Sequence, residues 1–326
     1  MPLLGPLVAY LPTPRGPEGE VRTDPLEELV DRAVRAGASG VAVLGSTGGY
    51  PYLTAGERRS VVEAGVAAAD GRVPVVAGVG AFTTDEVVVH TIVAERSGAA
   101  AVLLPTLAYL PLTDAEVLDL VRDVADAARV PVWLYHNPVS TSFRYEVDTL
   151  ARAAQVPGVG GVKDRGSDPA ELRDRVRALT GAVPAHVELG CSGDVIGVEG
   201  LLAGARTWHT GLGGVLPEWY VAVAGAAADG RADEARALMA RLAPVAELVA
   251  SLGGPRAVHA VSALRGVDVG DLPAPLHPVD RDGVAALDRA LSTLGDPPPP
   301  TPGSGPAQTQ TQAPRPAPAP DPDAEP

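Results

Sequence analysis

The chain has 326 residues, of which 46% are hydrophobic, enough for one large domain or two ordinary ones. Its net charge of −14 argues against nucleic acid and anionic membranes as partners, because both repel a strongly acidic protein. The sequence has one cysteine, Cys191, no apolar stretch of membrane-spanning length and no N-terminal pattern of a secretory leader, which together predict a soluble cytoplasmic protein.

Residues 1–295 alternate between short apolar runs and longer segments of helical period that are rich in Ala, Arg and Glu. The eight apolar runs are LVAYLPT (7–13), GVAVLGST (40–47), VPVVAGVG (73–80), AAVLLP (100–105), VPVWLYHN (130–137), VGGVKD (159–164), HVELGCSG (186–193) and TWHTGLGG (207–214). Such continuously apolar runs are typical of parallel strands that are buried on both faces. Eight strand–helix units predict an α/β protein with a (β/α)8 TIM barrel over residues 1–214. An open, doubly wound sheet is the alternative, and the even spacing of the runs favours closure.

Helix-start and helix-end signals lie between the runs. The segment DPLEELVDRAVRAGASG has an Asp-Pro cap and is expected to end at Gly37. In two later segments a threonine precedes a glutamate with the spacing of a capping box: Thr54 with Glu57, and Thr113 with Glu116. These signals predict helices after the first, second and fourth runs.

The C-terminal part of the chain differs from the repeating region. Residues 215–295 look helical throughout and are predicted to pack on the barrel as an extension. Residues 296–326 are rich in proline and contain no large apolar side chain. They cannot bury enough surface to offset the entropy of ordering, so we expect this tail to be disordered.

Lys163, in the segment GVGGVKD (158–164), is the only lysine among the 26 lysines and arginines of the chain. A coding bias toward arginine is one explanation. The other is chemical: a guanidinium does not lose its proton at usable pH, whereas a lysine amine does once burial lowers its pKa. The sequence therefore makes Lys163 a candidate for chemistry that needs a neutral amine, such as Schiff-base formation.

Polar side chains lie where the predicted strands end, which is where active sites form in a TIM barrel. They are Ser46 and Thr47 in the second run, Tyr135, His136 and Asn137 in the fifth, Lys163 in the sixth, and His209 and Thr210 in the eighth. Because the lysine is among them, near the barrel mouth, its position favours the chemical explanation.

Three of these segments resemble family motifs: GSTGGYPYLTAGERR (45–59), YHNP (135–138) and GVKD (161–164). They are similar, in this order, to the Gly-Thr-Thr-Gly-Glu segment with its following Leu-Thr-x-x-Glu-Arg helix start, the Tyr-Asn-x-Pro segment and the Gly-Ile-Lys segment of the dihydrodipicolinate synthase / N-acetylneuraminate lyase family. That family comprises class I aldolases and dehydratases that act on pyruvate-type 2-oxo acids. The resemblance extends from about residue 5 to residue 265, nearly all of the part expected to fold.

The resemblance implies a role for each matching position. Lys163 would form the Schiff base with the 2-oxo carbon, and Tyr135 would relay protons beside it. Ser46 would stand where the family has a threonine hydroxyl in that relay. Thr47, with the backbone N–H groups of the glycine-rich turn, would hold the substrate carboxylate. This assignment is chemically consistent, because an iminium is an electron sink and a phenol can act as a general acid or base.

Two further residues are candidate substrate contacts. His209 aligns with a position of the family's site that is usually apolar, and Gly193 ends the seventh run. A structural role is the alternative for His209. For Ser46 and Thr47 the alternative is that they cap the next helix, and for Tyr135 that it is a core aromatic residue.

Three other residues at strand ends are interpreted without a catalytic role. His136 stands where the family usually has asparagine, Asp164 is interpreted as a solvated charge at the strand end, and Cys191 as a small buried residue. No set of His, Cys and carboxylate side chains has the spacing of metal ligands, so we expect neither a metal nor another cofactor.

Several positions depart from the family's synthases. Thr106 and Leu107 occupy the places of a tyrosine pair, with Tyr109 nearby but displaced in register. Ser140 occupies the place of an arginine that grips the second substrate, and Gly49 replaces an acidic residue. These losses remove the parts specific for aspartate semialdehyde and keep those that make a Schiff base. They predict an aldolase or dehydratase that acts on pyruvate or a sugar-derived 2-oxo acid.

Three alternatives to this function remain at the level of sequence. One is 4-hydroxy-tetrahydrodipicolinate synthase itself, one is a pyridoxal-phosphate enzyme, which also uses a lysine, and one is a non-catalytic barrel that binds a small molecule. The expected partner is a small 2-oxo acid. The resemblance also implies a homo-oligomer, either a tetramer or a dimer.

Overall fold

The eight apolar runs form eight parallel strands that close into a barrel in chain order. The computed structural model describes residues 4–298. The strands are β1 (Leu7–Tyr10), β2 (Gly40–Val43), β3 (Val75–Gly78), β4 (Ala101–Pro105), β5 (Val132–Tyr135), β6 (Val159–Asp164), β7 (Glu188–Ser192) and β8 (Thr207–Thr210). Pairing of β1 with β8, with Val8 opposite His209, closes the barrel. The predicted TIM barrel is therefore confirmed, and the open sheet is excluded.

Twelve helices lie within residues 4–298. They are α1 (Thr23–Ala36), α2 (Ala55–Ala69), α3 (Thr84–Arg96), α4 (Asp114–Ala127), α5 (Pro138–Thr141), α6 (Val147–Ala153), α7 (Pro169–Ala182), α8 (Gly197–Leu202), α9 (Pro217–Ala228), α10 (Ala232–Ser251), α11 (Pro255–Leu264) and α12 (Arg281–Leu294). No helix in that range has both the length and the apolar character that a membrane span requires.

The helix-end signals were largely correct. Both capping boxes form, with the threonine accepting from the glutamate N–H and the glutamate side chain accepting from the threonine N–H. Gly37 ends α1 in the left-handed conformation that favours glycine, with φ of 96°. The predicted Asp-Pro cap is wrong, because Arg22 is the N-cap and Asp24 lies inside the first turn. There its carboxylate faces the positive end of the helix dipole.

The C-terminal extension is not helical throughout, which corrects the prediction for residues 215–295. Residues 265–280, between α11 and α12, form no helix. Pro273, Pro275 and Pro278 explain this, because each lacks a backbone N–H and disfavours a helical conformation in the residue before it. Most of the tail predicted to be disordered, residues 299–326, lies outside the described residues.

Side chains alternate between the barrel interior and the surrounding helices, as the period of a β-strand requires. The interior holds a cluster formed by Leu4, Val8, Tyr10, Ala42, Val76, Ala101, Leu103, Trp133 and Tyr135. Two inward-facing glycines make room for its rings. A Cβ on Gly161 would lie 2.3 Å from the Trp133 ring, and one on Gly190 would lie 2.7 Å from His209 Nε2. Aromatic side chains therefore fill the barrel directly beneath its mouth.

Candidate active site

Lys163 lies near the C-terminal end of β6, with its side chain inside the barrel mouth. The residue is only 5% exposed. Its Nζ lies 3.7 Å from the centroid of the Tyr10 ring and 4.1 Å from that of the Tyr135 ring. Strand pairing places Lys163 directly beside Tyr135 on β5 and Gly190 on β7. The amine is therefore held between two aromatic faces rather than in a contact ion pair.

This environment lowers the pKa of Lys163 below its ordinary value, and burial is the main cause. The negative charges associated with Tyr135 and Asp194 act in the opposite direction, whereas the charge of Arg165 lowers the pKa further. Desolvation outweighs the attraction of the two anionic groups. A neutral amine is consequently more accessible here than on an exposed lysine.

Tyr135 presents its phenol oxygen to several polar side chains at the mouth. Its hydroxyl lies 3.4 Å from Ser46 Oγ and accepts a hydrogen bond of 2.8 Å from Asn137 Nδ2. Burial alone would raise the pKa of Tyr135, but the charge of Lys163 and the hydrogen bonds from Ser46, Asn137 and Ser140 bring it below its ordinary value. The arrangement stabilises a phenolate and thus suits a group that exchanges protons.

The glycine-rich turn after β2 carries Ser46 and Thr47. Both residues line a cavity at the barrel mouth together with Gly48, Gly49 and Ser140. A Cβ on Gly211 would approach to 2.7 Å of Thr47 Oγ1, so the loop after β8 packs closely against this turn. The structure thus brings Ser46, Tyr135 and Lys163 into one group and places Thr47 at its edge.

His209 and Gly193 lie apart from this group. His209 faces the barrel interior, with its Nδ1 3.1 Å from the Tyr10 hydroxyl and its ring stacked at a tilt on Trp133. Burial first, and the charge of Lys163 second, lower its pKa well below the ordinary value, so the imidazole is neutral. Gly193 turns the chain after β7 with φ of 116°, and its carbonyl accepts from Trp208 Nε1. The contacts that the structure shows for both residues are with neighbouring protein groups.

Three residues near Lys163 were not assigned roles from the sequence. Tyr10 lies beneath the amine, and Asn137 contacts the Tyr135 hydroxyl. Asp194 Oδ1 accepts from Thr210 Oγ1 at 2.6 Å and from the Gly211 N–H at 2.9 Å, which ties the loops after β7 and β8 together. Asn137 and Asp194 do stand directly after apolar runs, so their position gave a usable signal. Tyr10 lies inside a run and gave none.

Asp164 corrects an interpretation made from the sequence, because it is not solvated. It is fully buried, accepts from His136 Nδ1 at 2.6 Å and receives two hydrogen bonds from Arg175, at 2.8 and 3.0 Å. Burial alone would raise the pKa of Asp164, but these partners hold it below its ordinary value. Cys191 is buried as expected, and burial raises the pKa of its thiol. Within residues 4–298 no three His, Cys, Asp or Glu side chains are grouped so that they could hold a metal ion.

Comparison with known sequences identifies the relatives of this chain. Residues 4–294 match the family described as the dihydrodipicolinate synthetase family. An uncharacterized DapA-like lyase of Halobacterium salinarum is 36% identical over 295 residues, which cover 89% of this chain and 92% of the relative. The 4-hydroxy-tetrahydrodipicolinate synthase 1 of Streptomyces coelicolor is 33% identical over 278 residues, which cover 84% of this chain and 89% of that enzyme.

Solved structures give the same result at the level of the fold. A dihydrodipicolinate synthase from Agrobacterium tumefaciens superposes with a TM-score of 0.86 at 32% identity and covers 90% of this chain and 98% of its own. YagE of Escherichia coli K12, solved in complex with pyruvate, superposes with a TM-score of 0.84 at 26% identity and covers 90% of this chain and 99% of its own. The similarity therefore includes the barrel and most of the C-terminal extension.

Proposed function

The chain belongs to the dihydrodipicolinate synthetase family, and we propose that it is a lyase in which Lys163 forms a Schiff base with a pyruvate-type 2-oxo acid. One observation supports this assignment most strongly. The only lysine of the chain is buried at the barrel mouth, between two aromatic rings, where its pKa is lowered. The pyruvate bound to YagE is consistent with a 2-oxo acid as substrate.

The proposed reaction begins when the neutral amine of Lys163 attacks the 2-oxo carbon. A carbon–nitrogen bond forms, and the carbonyl oxygen leaves as water after it has been protonated. The resulting iminium accepts electrons from the adjacent carbon, so that a carbon–carbon bond can break or form, or a hydroxyl can leave. Tyr135, with Ser46 at its hydroxyl, supplies and removes the protons.

The substrate carboxylate is assigned to Thr47 and the glycine-rich turn after β2. The same turn carries Ser46, whose hydroxyl contacts that of Tyr135. A carboxylate bound to Thr47 therefore leaves the neighbouring keto carbon of the substrate near the Lys163 amine. The structure offers less support for Gly193 and His209 as substrate contacts. The Gly193 carbonyl accepts a hydrogen bond from Trp208 Nε1, and His209 Nδ1 lies 3.1 Å from the Tyr10 hydroxyl.

A second candidate activity is that of the synthase whose name the Streptomyces relative carries. Two observations favour a different 2-oxo acid, such as one derived from a sugar. Ser140, which stands where those synthases have an arginine, brings no positive charge, and Thr106 Oγ1 is engaged with the Tyr145 hydroxyl at 2.7 Å. The side chains expected to bind aspartate semialdehyde are therefore missing from these positions.

Borohydride trapping tests the proposed function directly. Incubation with pyruvate followed by borohydride is expected to add the mass of the reduced adduct to the peptide that contains Lys163. The Lys163→Arg variant keeps the charge but loses the amine, so its trapping should fall to background, on the order of a thousandfold or more. The protein's visible spectrum should show no pyridoxal-phosphate band. Absence of an adduct with every member of a broad panel of 2-oxo acids would instead support a binding protein.

We also propose that the protein is a cytoplasmic homo-oligomer, a dimer or tetramer. Large apolar side chains are exposed on the segments that follow β3, β4 and β5, the last of them in α5: Phe82 at 66%, Tyr109 at 89%, Leu110 at 71% and Val139 at 85%. Exposed apolar patches of this kind are typical of protein interfaces. A second copy of the chain is the partner that family membership favours, and cell fractionation tests the location.

Sedimentation velocity tests the oligomer. The double variant Tyr109→Ser, Leu110→Ser is expected to shift the protein toward monomer, because it removes the two most apolar exposed side chains of the loop after β4. Val89→Ser, which changes an exposed residue on α3, is the matched control. A monomeric native protein would contradict the proposal.

A further inference from the structure

A cavity of about 330 Å³ opens beside the glycine-rich turn of the candidate site. It lies between that turn, the segment after β1 and the C-terminal extension. Its wall includes Arg15, Thr47, Ser140, Arg256 and His259. Ser46 and Ser140 line the cavity and also form hydrogen bonds with the Tyr135 hydroxyl, so the cavity adjoins the proposed reaction centre.

Two arginines bring positive charge to this cavity. Arg15 Nη1 and Arg256 Nε are both buried, and neither has a hydrogen-bond partner among residues 4–298. A buried N–H group without an acceptor costs free energy, and few such groups persist in folded proteins without a ligand, a water or a functional reason. Both arginines therefore line one cavity, and each retains a nitrogen that the neighbouring protein groups leave unpaired.

Arg15 is held in place by its backbone rather than by its side chain. Its N–H donates to the Val269 carbonyl at 2.9 Å, and Gly270, with φ of 68°, packs so closely that a Cβ would lie 1.9 Å from the Arg15 carbonyl oxygen. Glu57 approaches Arg15 Nη2 at 3.5 Å and partly offsets its charge. The arginine is thus pre-positioned at the cavity.

No acidic side chain belongs to the cavity wall within residues 4–298. His259 also lines the cavity, and burial lowers its pKa, although the hydrogen bond of 3.0 Å between its Nδ1 and the Gly270 carbonyl acts in the opposite direction. The remaining wall is largely apolar and includes Tyr50, Leu272 and Leu276. The cavity therefore combines two arginines, whose charge Glu57 partly offsets, with hydroxyl-bearing side chains such as Thr13 and Ser140.

We propose that this cavity binds a second anionic group at the far end of the substrate, so that the substrate is a 2-oxo acid with two anionic ends. The inference rests on the proposed function: Lys163 takes the keto carbon and Thr47 the near carboxylate. Arg15 and Arg256 then receive the distal carboxylate or phosphonate, to which a guanidinium donates charge-assisted hydrogen bonds.

A matched set of probes tests this assignment by borohydride trapping at Lys163. 2-Oxohexanoate and 2-oxoadipate have the same chain length but end in a methyl group and a carboxylate, and 2-oxo-5-phosphonopentanoate ends in a phosphonate. In the native protein, half-saturation of trapping is expected at about tenfold lower concentration for the two dianions than for 2-oxohexanoate, the effect of one hydrogen bond between charged groups. Comparing half-saturation for 2-oxoadipate and 2-oxo-5-phosphonopentanoate shows whether the arginines prefer a carboxylate or a phosphonate.

Variants separate the arginines from the reaction centre. Arg256→Gln should abolish the preference for dianions, Arg15→Gln should weaken it, and Arg256→Lys should retain part of it. None of these changes should alter trapping of pyruvate, because pyruvate has no distal anionic group to contact the two arginines. Arg122→Gln, at an exposed ion pair with Asp119 on α4, is the control and should leave the preference intact.

The outcomes distinguish the two proposals. If pyruvate is trapped but the native protein does not discriminate between 2-oxohexanoate and the dianions, the distal anion site is wrong and the lyase assignment stands. A preference that survives Arg256→Gln also overturns the site. Failure of pyruvate and every probe to be trapped at Lys163 overturns the proposed function and, with it, this inference.

Discussion

Neighbouring residues on β5 and β6 show two opposite treatments of buried charge. Tyr135 and Lys163 face the barrel mouth, whereas His136 and Asp164, one residue further along each strand, face the helices outside. The outer pair is completed by Arg175, which binds the Asp164 carboxylate through two nitrogens. The inner lysine contacts two aromatic faces instead. The outer group is thus an ion-paired network and the inner one is not.

This difference indicates how one pair of strands serves both stability and chemistry. A buried carboxylate with a bidentate arginine is fully satisfied, and removing one partner is costly. A buried lysine between aromatic rings has no such compensation, so it is more readily deprotonated and able to react. The period of two along a strand separates the functions without any extra structural element.

The largest effect is expected on turnover, from Tyr135→Phe. Loss of the phenol should lower turnover of a suitable 2-oxo acid about 10²–10⁴-fold, the range for removing a general acid or base. Steady-state kinetics measures this change. The matched control is Tyr145→Phe, which removes a buried hydroxyl bonded to Thr106 and should cost about 1 kcal/mol of stability with turnover retained. Equal losses of turnover in both variants would contradict a proton-transfer role for Tyr135.

A somewhat smaller effect, and one on stability, is expected from Asp164→Asn. The change leaves Arg175 buried without its counter-charge, so the free energy of unfolding should fall by about 3–5 kcal/mol. Urea denaturation followed by circular dichroism measures it. Asp119→Asn, at the exposed pair with Arg122, should change it by about 0–1 kcal/mol. Equal free energies of unfolding in the two variants would contradict a stabilising role for the network of Asp164, His136 and Arg175.

The smallest effect is expected on the pH dependence of trapping. Schiff-base formation needs the neutral amine, so trapping of pyruvate should increase as the pH rises. Because burial lowers the pKa of Lys163, the midpoint of this increase should lie below 10.5, the ordinary pKa of lysine. The charge of Asp194 raises that pKa, so Asp194→Asn should move the midpoint to still lower pH. Asp119→Asn should leave it in place. A midpoint at or above 10.5 in the native protein would contradict the conclusion that burial lowers the pKa of Lys163.

The barrel and the family were predictable because their signals are local and repeated. Apolar runs at regular intervals indicated the strands, and threonine–glutamate spacing located two helix starts that the structure confirms. Prediction failed where several signals competed. Residues 265–280 lie between two helices and were predicted to continue the helical extension, but their three prolines exclude a helix there. Asp164 looked exposed because its partner Arg175 lies on the following helix and is recognised only after that helix has packed.

The sequence by itself determined the class of fold, the family and the position of the only lysine, because periodicity, motif order and residue type are properties of the chain. The tertiary structure decided what surrounds that amine. Tyr10 and Tyr135 contact Lys163 from different strands, and Arg15 and Arg256, which are distant in the sequence, line one cavity. The pKa of a buried group and the charge of a cavity depend on distances between such remote residues, and only packing sets those distances.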